Sequence, residues 1–184
     1  MTRSQIKLAF AAAATLGALA LTSPASASLK EGVAAPDFQT SAALAGKTFD
    51  FKLSEALKKG PVVLYFFPAA FTSGCTKEAH DFAEATEDFN KLGATVVGVT
   101  SGNVNRVAEF SKVECRDKFA VAADPDKKIS RAYDAVIPVA GFTDRVSYVI
   151  APNGKILLTY SAMNPDQHVE KSMAAVKAWS ASRK

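Results

Sequence analysis

Cysteine and histidine are scarce in this sequence of 184 residues, which contains two of each. They do not form the closely spaced Cys/His cluster typical of a metal site, so we predict no metal. No glycine-rich phosphate loop is present, and we predict no cofactor. A basic stripe interleaved with aromatic residues is also missing, which leaves nucleic-acid binding without support.

Long hydrophobic runs are missing except at the N-terminus. There, Leu8–Leu21 carries no charge over 14 residues and follows the basic residues Arg3 and Lys7. A helix of that length covers about 21 Å, less than the roughly 30 Å hydrocarbon core of a bilayer. Pro24 then breaks the run, and the small residues at 25–27 suit a signal peptidase.

These features predict a secretory signal peptide over residues 1–27 and a mature chain over residues 28–184. The mature length suits a single domain with one core. Loss of Arg3 and Lys7 leaves 20 basic and 18 acidic residues, so the net charge falls from +4 to +2. We expect an exported, periplasmic protein with no stable membrane association after cleavage.

Short apolar runs and helical spacing alternate along the mature chain. Strands are predicted at 61–67, 94–99, 119–123, 146–150 and 156–160, with a further short strand at 47–51. Helices are predicted at 76–92, 103–113, 127–133 and 165–179. The core order β-α-β-α-β-α-β-β-α predicts an α/β domain with a thioredoxin-like fold, in which helices flank a central mixed β-sheet.

The stretch Tyr65–Cys75 carries the clearest chemical information. A buried strand ends, a turn follows, and Cys75 falls at the predicted start of a helix. Free backbone N–H groups and the helix dipole favour an anion there, and the thiolate is the nucleophilic form of cysteine. Taken singly, Pro68 could simply end the strand, and Thr72 could be only a helix cap.

Together these residues read Pro-x-x-x-Thr-x-x-Cys directly after an apolar strand, and here the sequence resembles the peroxiredoxins. That family is also known as the alkyl hydroperoxide reductase and thiol-specific antioxidant family. The resemblance implies a thiol-dependent peroxidase that reduces hydrogen peroxide and organic hydroperoxides. It also implies that Pro68 shields the thiolate, Thr72 bonds to the peroxide, and Cys75 attacks it.

Two charged residues extend the resemblance. The family places an arginine at the start of a late strand, which matches Arg145, whose fork of donors could hold thiolate and peroxide together. A surface arginine paired with Asp144 is the alternative. The run Cys75–Ala79 resembles the peroxiredoxin Q subgroup, the bacterioferritin comigratory proteins, which implies a supporting role for Glu78. On its own, Glu78 could be a carboxylate favoured in a first helical turn.

The second cysteine departs from the commonest subgroup pattern. Many members carry it five residues after the first, where this sequence has His80. Other members place it in the next helix, which implies that Cys115 resolves the oxidised Cys75 through a disulfide. We expect Lys112 and Arg116 to help keep its thiolate populated. An unpaired buried cysteine or a purely structural disulfide remain alternatives.

Two other functions compete with the peroxidase. A thioredoxin-like thiol-disulfide oxidoreductase acting on exported proteins normally carries Cys-x-x-Cys, whereas this turn reads Thr72-Ser73-Gly74-Cys75. A binding domain held by a Cys75–Cys115 disulfide would leave the proline, threonine and arginine unexplained. The peroxidase also needs a partner, and we expect a thioredoxin-like or small-thiol reductant. The subgroup resemblance favours a monomer, with a dimer as the alternative.

Overall fold

Seven strands form one mixed sheet in the computed structural model, which describes residues 28–183. The strands are β1 (Gln39–Leu44), β2 (Lys47–Lys52), β3 (Val62–Ala69), β4 (Thr95–Gly102), β5 (Ala120–Ala123), β6 (Val146–Ile150) and β7 (Ile156–Ser161). The helices are α1 (Leu53–Leu57), α2 (Ser73–Lys91), α3 (Val107–Val113), α4 (Lys128–Ala132) and α5 (His168–Ala181). Short 3₁₀ turns at Val104–Arg106 and Pro165–Gln167 precede α3 and α5.

The strand order across the sheet is β2-β1-β5-β4-β3-β6-β7. Strands β3, β4 and β5 are parallel, while β6 runs antiparallel to β3 and β7 antiparallel to β6. The end of β3 and the start of β6 therefore lie at the same edge, where Phe66 pairs with Val146. The end of β7 is there too, because Ser161 pairs with Val146. This edge carries the site described below.

The central strand β3 is buried on both faces, as its continuous apolar sequence predicts. Val63, Tyr65 and Phe67 belong to the core that α2, α3 and α5 cover. The alternate residues Val62, Leu64 and Phe66 belong to a second core beneath α1 and α4. The two cores fix β3 from both sides, which makes its C-terminal end a rigid place from which to position a side chain.

The predicted thioredoxin-like α/β architecture is confirmed, and every predicted strand and helix overlaps an observed one. Strand β1, the hairpin partner of β2, and the short helix α1 were not predicted. The expectation that Pro68 could end the strand is wrong, because β3 continues to Ala69. Its pairing with β6 stops at Phe66, so Pro68 lies beyond the segment that is hydrogen-bonded on both sides, where a residue without an N–H is tolerated.

The predicted signal peptide, residues 1–27, lies outside the described residues. Within residues 28–183, no helix is both long enough and apolar enough to cross a membrane.

Candidate active site

The turn between β3 and α2 is held by contacts from the neighbouring strand and helix. Ala70 donates its N–H to the Gly102 carbonyl at 3.2 Å, and Asn103 Nδ2 donates to the Ala70 carbonyl at 2.8 Å. Phe71 adopts a positive φ of 63° and packs edge-on against Phe110 in α3. The Arg106 guanidinium covers the Phe71 ring at 3.7 Å. The turn is thus tied to the segment that leads to Cys115.

Cys75 is the third residue of α2 and is 1% exposed. The first helical hydrogen bond runs from the Thr76 N–H to the Thr72 carbonyl at 2.8 Å. The N–H groups of the preceding first-turn residues therefore point out of the helix, where they stabilise negative charge. Gly74 leaves room for a cation, because a Cβ there would lie 3.3 Å from Arg145 Nη2.

Thr72 occupies the N-cap position of α2 but does not cap the helix with its side chain. Its hydroxyl instead donates to the Ala69 carbonyl at 3.2 Å and is exposed on the surface. A hydroxyl that has given its proton to a carbonyl keeps its lone pairs for another donor. This geometry argues against the simple capping interpretation and leaves Thr72 able to accept a hydrogen bond from a ligand.

Arg145 points inward and is 3% exposed. Its Nη2 donates to the Cys75 sulfur at 3.5 Å, its Nη1 donates to Glu78 Oε2, and its Nε donates to the Met163 carbonyl at 3.0 Å. Among residues 28–183, the hydrogen bond that the Asp144 carboxylate accepts comes from the Arg145 backbone N–H, at 2.7 Å, and not from the guanidinium. The surface pair with Asp144 is therefore wrong, and the guanidinium instead joins β6, the segment after β7, and α2 at one point.

Glu78 is fully buried one turn after Cys75. Burial raises its pKa to about 8, against the opposing effects of the Arg145 charge and hydrogen bond. Its Oε1 has no hydrogen-bond partner within residues 28–183, but lies 3.7 Å from His168 Nδ1. Glu78 therefore lies beside Arg145 and one turn from Cys75, where a supporting residue is expected. A carboxylate that only stabilised the first turn of α2 would lie at the surface.

His168 is the residue that sequence reasoning missed. It begins α5, is fully buried, and bonds to Ser147 Oγ and to the Ala162 carbonyl, both at 2.8 Å. Burial is the main cause that lowers its pKa to about 4. No spacing pattern in the sequence connects position 168 with positions 75 or 145, and its only signal was that the chain has just one other histidine.

Cys115 lies two residues beyond α3 and is fully buried. It shares one hydrophobic core with Cys75, and both cysteines are free thiols with no disulfide among the described residues. Burial, together with the nearby Glu114, raises the Cys115 pKa well above its usual value. The expected help from Lys112 and Arg116 is wrong, because the Cys115 pKa is raised and neither cation is among its influences. Both side chains are exposed, and Arg116 bonds to Glu84 at 3.1 Å.

The remaining expectations about the site concern ligands. No group of three or more His, Cys, Asp or Glu side chains capable of holding a metal occurs in the part of the chain that the structure describes. A cavity of about 550 Å³ is lined by Thr95, Lys52, Phe119 and neighbouring residues. It lies at the start of β4 and β5, at the opposite end of the sheet from Cys75. This cavity is therefore separate from the site around the cysteine.

The buried carboxyl makes a testable contribution to stability. The folded-state pKa of Glu78 is about 8, above its ordinary value of 4.5. Its contribution to stability is therefore complete below pH 4.5 and is lost as the pH rises through 8. Since His168 has a lowered pKa of about 4, its own contribution is constant above pH 6.5. Between pH 6.5 and 8.5 we expect Glu78 to cost about 2 kcal/mol of stability.

The Glu78→Gln variant should lose this pH dependence, because an amide does not ionise. Urea unfolding of reduced protein at pH 6.5 and pH 8.5 measures it, as the change in the free energy of unfolding between the two pH values. Glu84→Gln is the matched control, since Glu84 is exposed and paired with Arg116 at the surface. Parallel pH profiles for wild type and Glu78→Gln would show that Glu78 is ionised throughout.

Comparison with known proteins supplies an independent line of evidence. The sequence profile of the AhpC/TSA family matches residues 32–159. A chloroplastic peroxiredoxin Q of Populus jackii is 31% identical over 154 residues, which cover 83% of this chain and 70% of that protein. The crystal structure of peroxidoxin BcpB from Mycobacterium tuberculosis matches with a TM-score of 0.74 at 30% identity, over 82% of this chain and 97% of that one. Mycobacterium tuberculosis AhpC, at 20% identity and a TM-score of 0.73, covers 85% of this chain and 96% of its own, and shares the fold.

Proposed function

Because this chain belongs to the AhpC/TSA family, the peroxiredoxins, we propose that it reduces peroxides with the thiolate of Cys75. The chain is a thiol peroxidase, an oxidoreductase. The observation that supports Cys75 as the attacking residue is the buried contact between its sulfur and Arg145 Nη2, 3.5 Å apart, at the first turn of α2. The cation and the free first-turn N–H groups both stabilise a thiolate there.

The first step transfers oxygen from the peroxide to the sulfur. The Cys75 thiolate attacks the terminal oxygen of ROOH, the O–O bond breaks, and the products are a Cys75 sulfenic acid and RO⁻, which takes a proton to give ROH. Arg145 stabilises the thiolate before attack and the leaving oxygen during it. Thr72 orients the peroxide, because its hydroxyl oxygen accepts a hydrogen bond from the peroxide O–H. Pro68 limits the access of water to the sulfur.

Reduced enzyme is regenerated in two further steps. The Cys115 thiol condenses with the Cys75 sulfenic acid, which forms a disulfide and releases water. A thioredoxin-like or small-thiol reductant then reduces this disulfide to two thiols and is itself oxidised. The proposal is supported by the presence of both cysteines in one core. Thiol-disulfide exchange on exported proteins lacks comparable support, since the turn at Cys75 contains no second cysteine.

The Thr72→Val variant tests the substrate contact. Valine has nearly the volume of threonine but lacks the hydroxyl, so the fold should persist while the second-order rate constant for hydrogen peroxide falls by about 100-fold. Stopped-flow measurement with pre-reduced protein gives this constant. Thr48→Val is a suitable control, because Thr48 is exposed on β2 away from the site. An unchanged rate in Thr72→Val would remove Thr72 from the mechanism.

We also propose that residues 1–27 are a secretory signal peptide, that the mature enzyme works in the periplasm, and that it is monomeric. The charged start, uncharged run and small residues of the N-terminus support cleavage after Ala27. Leu29, two residues after the proposed cleavage site, bonds to the Tyr148 and Thr159 hydroxyls at 3.2 and 2.6 Å and so belongs to the folded domain. Mass spectrometry of exported protein should read Ser28 as the first residue, and an intact Met1 would contradict cleavage.

A further inference from the structure

One ring nitrogen of His168, Nε2, holds the peptide segment that follows β7. Its Nε2 lies 2.8 Å from the Ala162 carbonyl. Because a carbonyl only accepts hydrogen bonds, Nε2 must carry the proton. The same segment contacts Arg145 twice, since the Ala162 N–H donates to the Arg145 carbonyl at 3.2 Å and the Met163 carbonyl accepts from Arg145 Nε at 3.0 Å. His168 therefore fixes the backbone that holds the guanidinium from one side.

The other ring nitrogen, Nδ1, is directed toward the Glu78 carboxyl, which bonds to the guanidinium on the side opposite Met163. With the proton on Nε2, Nδ1 is an acceptor and takes the Ser147 hydroxyl at 2.8 Å. Glu78 Oε1 lies 3.7 Å from the same nitrogen, and Glu78 Oε2 accepts from Arg145 Nη1. Ser147 follows Arg145 by two residues on β6, so ring, serine and carboxyl form one buried group around the arginine.

The surroundings of the ring favour its neutral form, mainly because the ring is buried. Glu78 approaches it from α2, Arg145 lies at the start of β6, and the Tyr160 ring from β7 packs edge-on at 4.8 Å. Burial is the largest influence and lowers the pKa of His168 to about 4; the bond to the Ala162 carbonyl opposes it, and the neighbouring Arg145 cation adds to it. A neutral ring with a fixed proton can donate from one nitrogen and accept at the other throughout the neutral pH range.

We propose that His168 is a positioning residue of the peroxidase, whose bonds to the Ala162 carbonyl and to Ser147 hold the segment that carries the Met163 carbonyl, so that Arg145 stays against the Cys75 sulfur. The inference rests on the proposed role of Arg145. His168 does not touch the sulfur and acts only through the arginine. A histidine that merely filled space would need no bond to Ala162, whose peptide also bonds to the arginine.

The test compares substitutions that keep or remove the bonds of the ring. His168→Leu preserves apolar volume but loses both bonds, and we expect the peroxide rate constant to fall about 10- to 100-fold as the guanidinium shifts. His168→Gln retains an N–H donor able to reach the Ala162 carbonyl, and should recover most of that loss. Stopped-flow kinetics measure the rates. The pH profile of Cys75 alkylation should move to higher pH in His168→Leu but not in His168→Gln.

Two control variants separate the possible causes. His80→Leu alters the other histidine, which is partly exposed and pairs with Glu114, and should leave the first turnover unchanged. Arg145→Met reports on the proposed function itself. If Arg145→Met reacts as fast as wild type, the proposed role of Arg145 is wrong. If Arg145→Met reacts slowly but folded His168→Leu reacts at the wild-type rate, only the proposed role of His168 is wrong.

Two further outcomes are decisive. Equal losses in His168→Leu and His168→Gln would show that the shape of the ring matters and its bonds do not, which overturns the proposal. If His168→Leu does not fold, Ser147→Ala replaces it, because this change removes the Nδ1 bond and leaves the ring in place. We then expect about a tenfold loss of rate, and a wild-type rate in Ser147→Ala would overturn the proposal.

Discussion

The Cys75→Ser variant will consume no hydrogen peroxide above the background of buffer, although its fold stays intact. Serine differs from cysteine by one atom and can still accept a hydrogen bond from Arg145 Nη2, which lies 3.5 Å from the sulfur. An alcohol, however, supplies almost no anion near neutral pH, so even a well-placed cation and helix terminus have no nucleophile to stabilise. Stopped-flow mixing of pre-reduced protein with peroxide measures the loss, and circular dichroism checks the fold.

The single variant Cys115→Ser is the matched control for this loss. Both cysteines are buried in the same core, so a change in packing alone would affect either variant. We expect Cys115→Ser to consume one equivalent of peroxide at the wild-type rate, because Cys75 and Arg145 are untouched. If Cys75→Ser instead retained the stoichiometric reaction and Cys115→Ser lost it, Cys115 would be the attacking residue and the assignment would be reversed.

The parts of the fold that sequence predicts well are those determined by local patterns. The apolar run of β3 and the helical spacing of α2 required only neighbouring residues, and both elements were predicted within a few residues of their bounds. Strand β1 was missed because its hairpin turns at Ala45-Gly46, with φ of 51° and 77°. Asparagine or aspartate before glycine is the usual signal for such a turn, and alanine there gives none.

The residues of the site also fall into two groups, those that a local sequence motif connects and those that only the fold brings together. Pro68, Thr72, Cys75 and Glu78 lie within eleven consecutive residues, so a motif can carry them together. The braces around Arg145 come from separate parts of the chain. The Arg145–Met163 bond spans 18 positions and the Arg145–Glu78 bond spans 67, and only the antiparallel pairing of β6 with β3 and β7 brings them to one edge. No spacing in the sequence encodes that meeting.

Cys115 is held in a segment that the fold leaves under strain. Arg116 and Asp117, directly after it, both adopt left-handed conformations, with φ of 51° and 60°. For residues other than glycine this costs roughly 1–2 kcal/mol each. Opening this segment would release that backbone strain.

The folded state is therefore suited to the first step and unsuited to the second. Burial raises the pKa of Cys115 well above its usual value, which keeps the thiol protonated and a poor nucleophile. The turn before Cys75 is tied to α3 through Phe71 and Phe110. Unwinding the first turn of α2 would withdraw Phe71 from this contact and loosen the helix that precedes Cys115. We expect disulfide formation to require local unfolding of both segments.

Wild-type protein treated with one equivalent of peroxide should then yield an intramolecular Cys75–Cys115 disulfide, while Cys115→Ser should lose recycling by a thioredoxin-like donor. Its sulfenic acid has no neighbouring thiol to condense with, so excess peroxide should convert Cys75 to sulfinic acid more readily than in wild type. Non-reducing peptide mapping identifies the linkage, and intact-mass measurement counts the added oxygens. A wild-type product containing only an intermolecular or mixed disulfide would assign resolution to another thiol, because the strained Cys115 segment would then not open within the lifetime of the sulfenic acid.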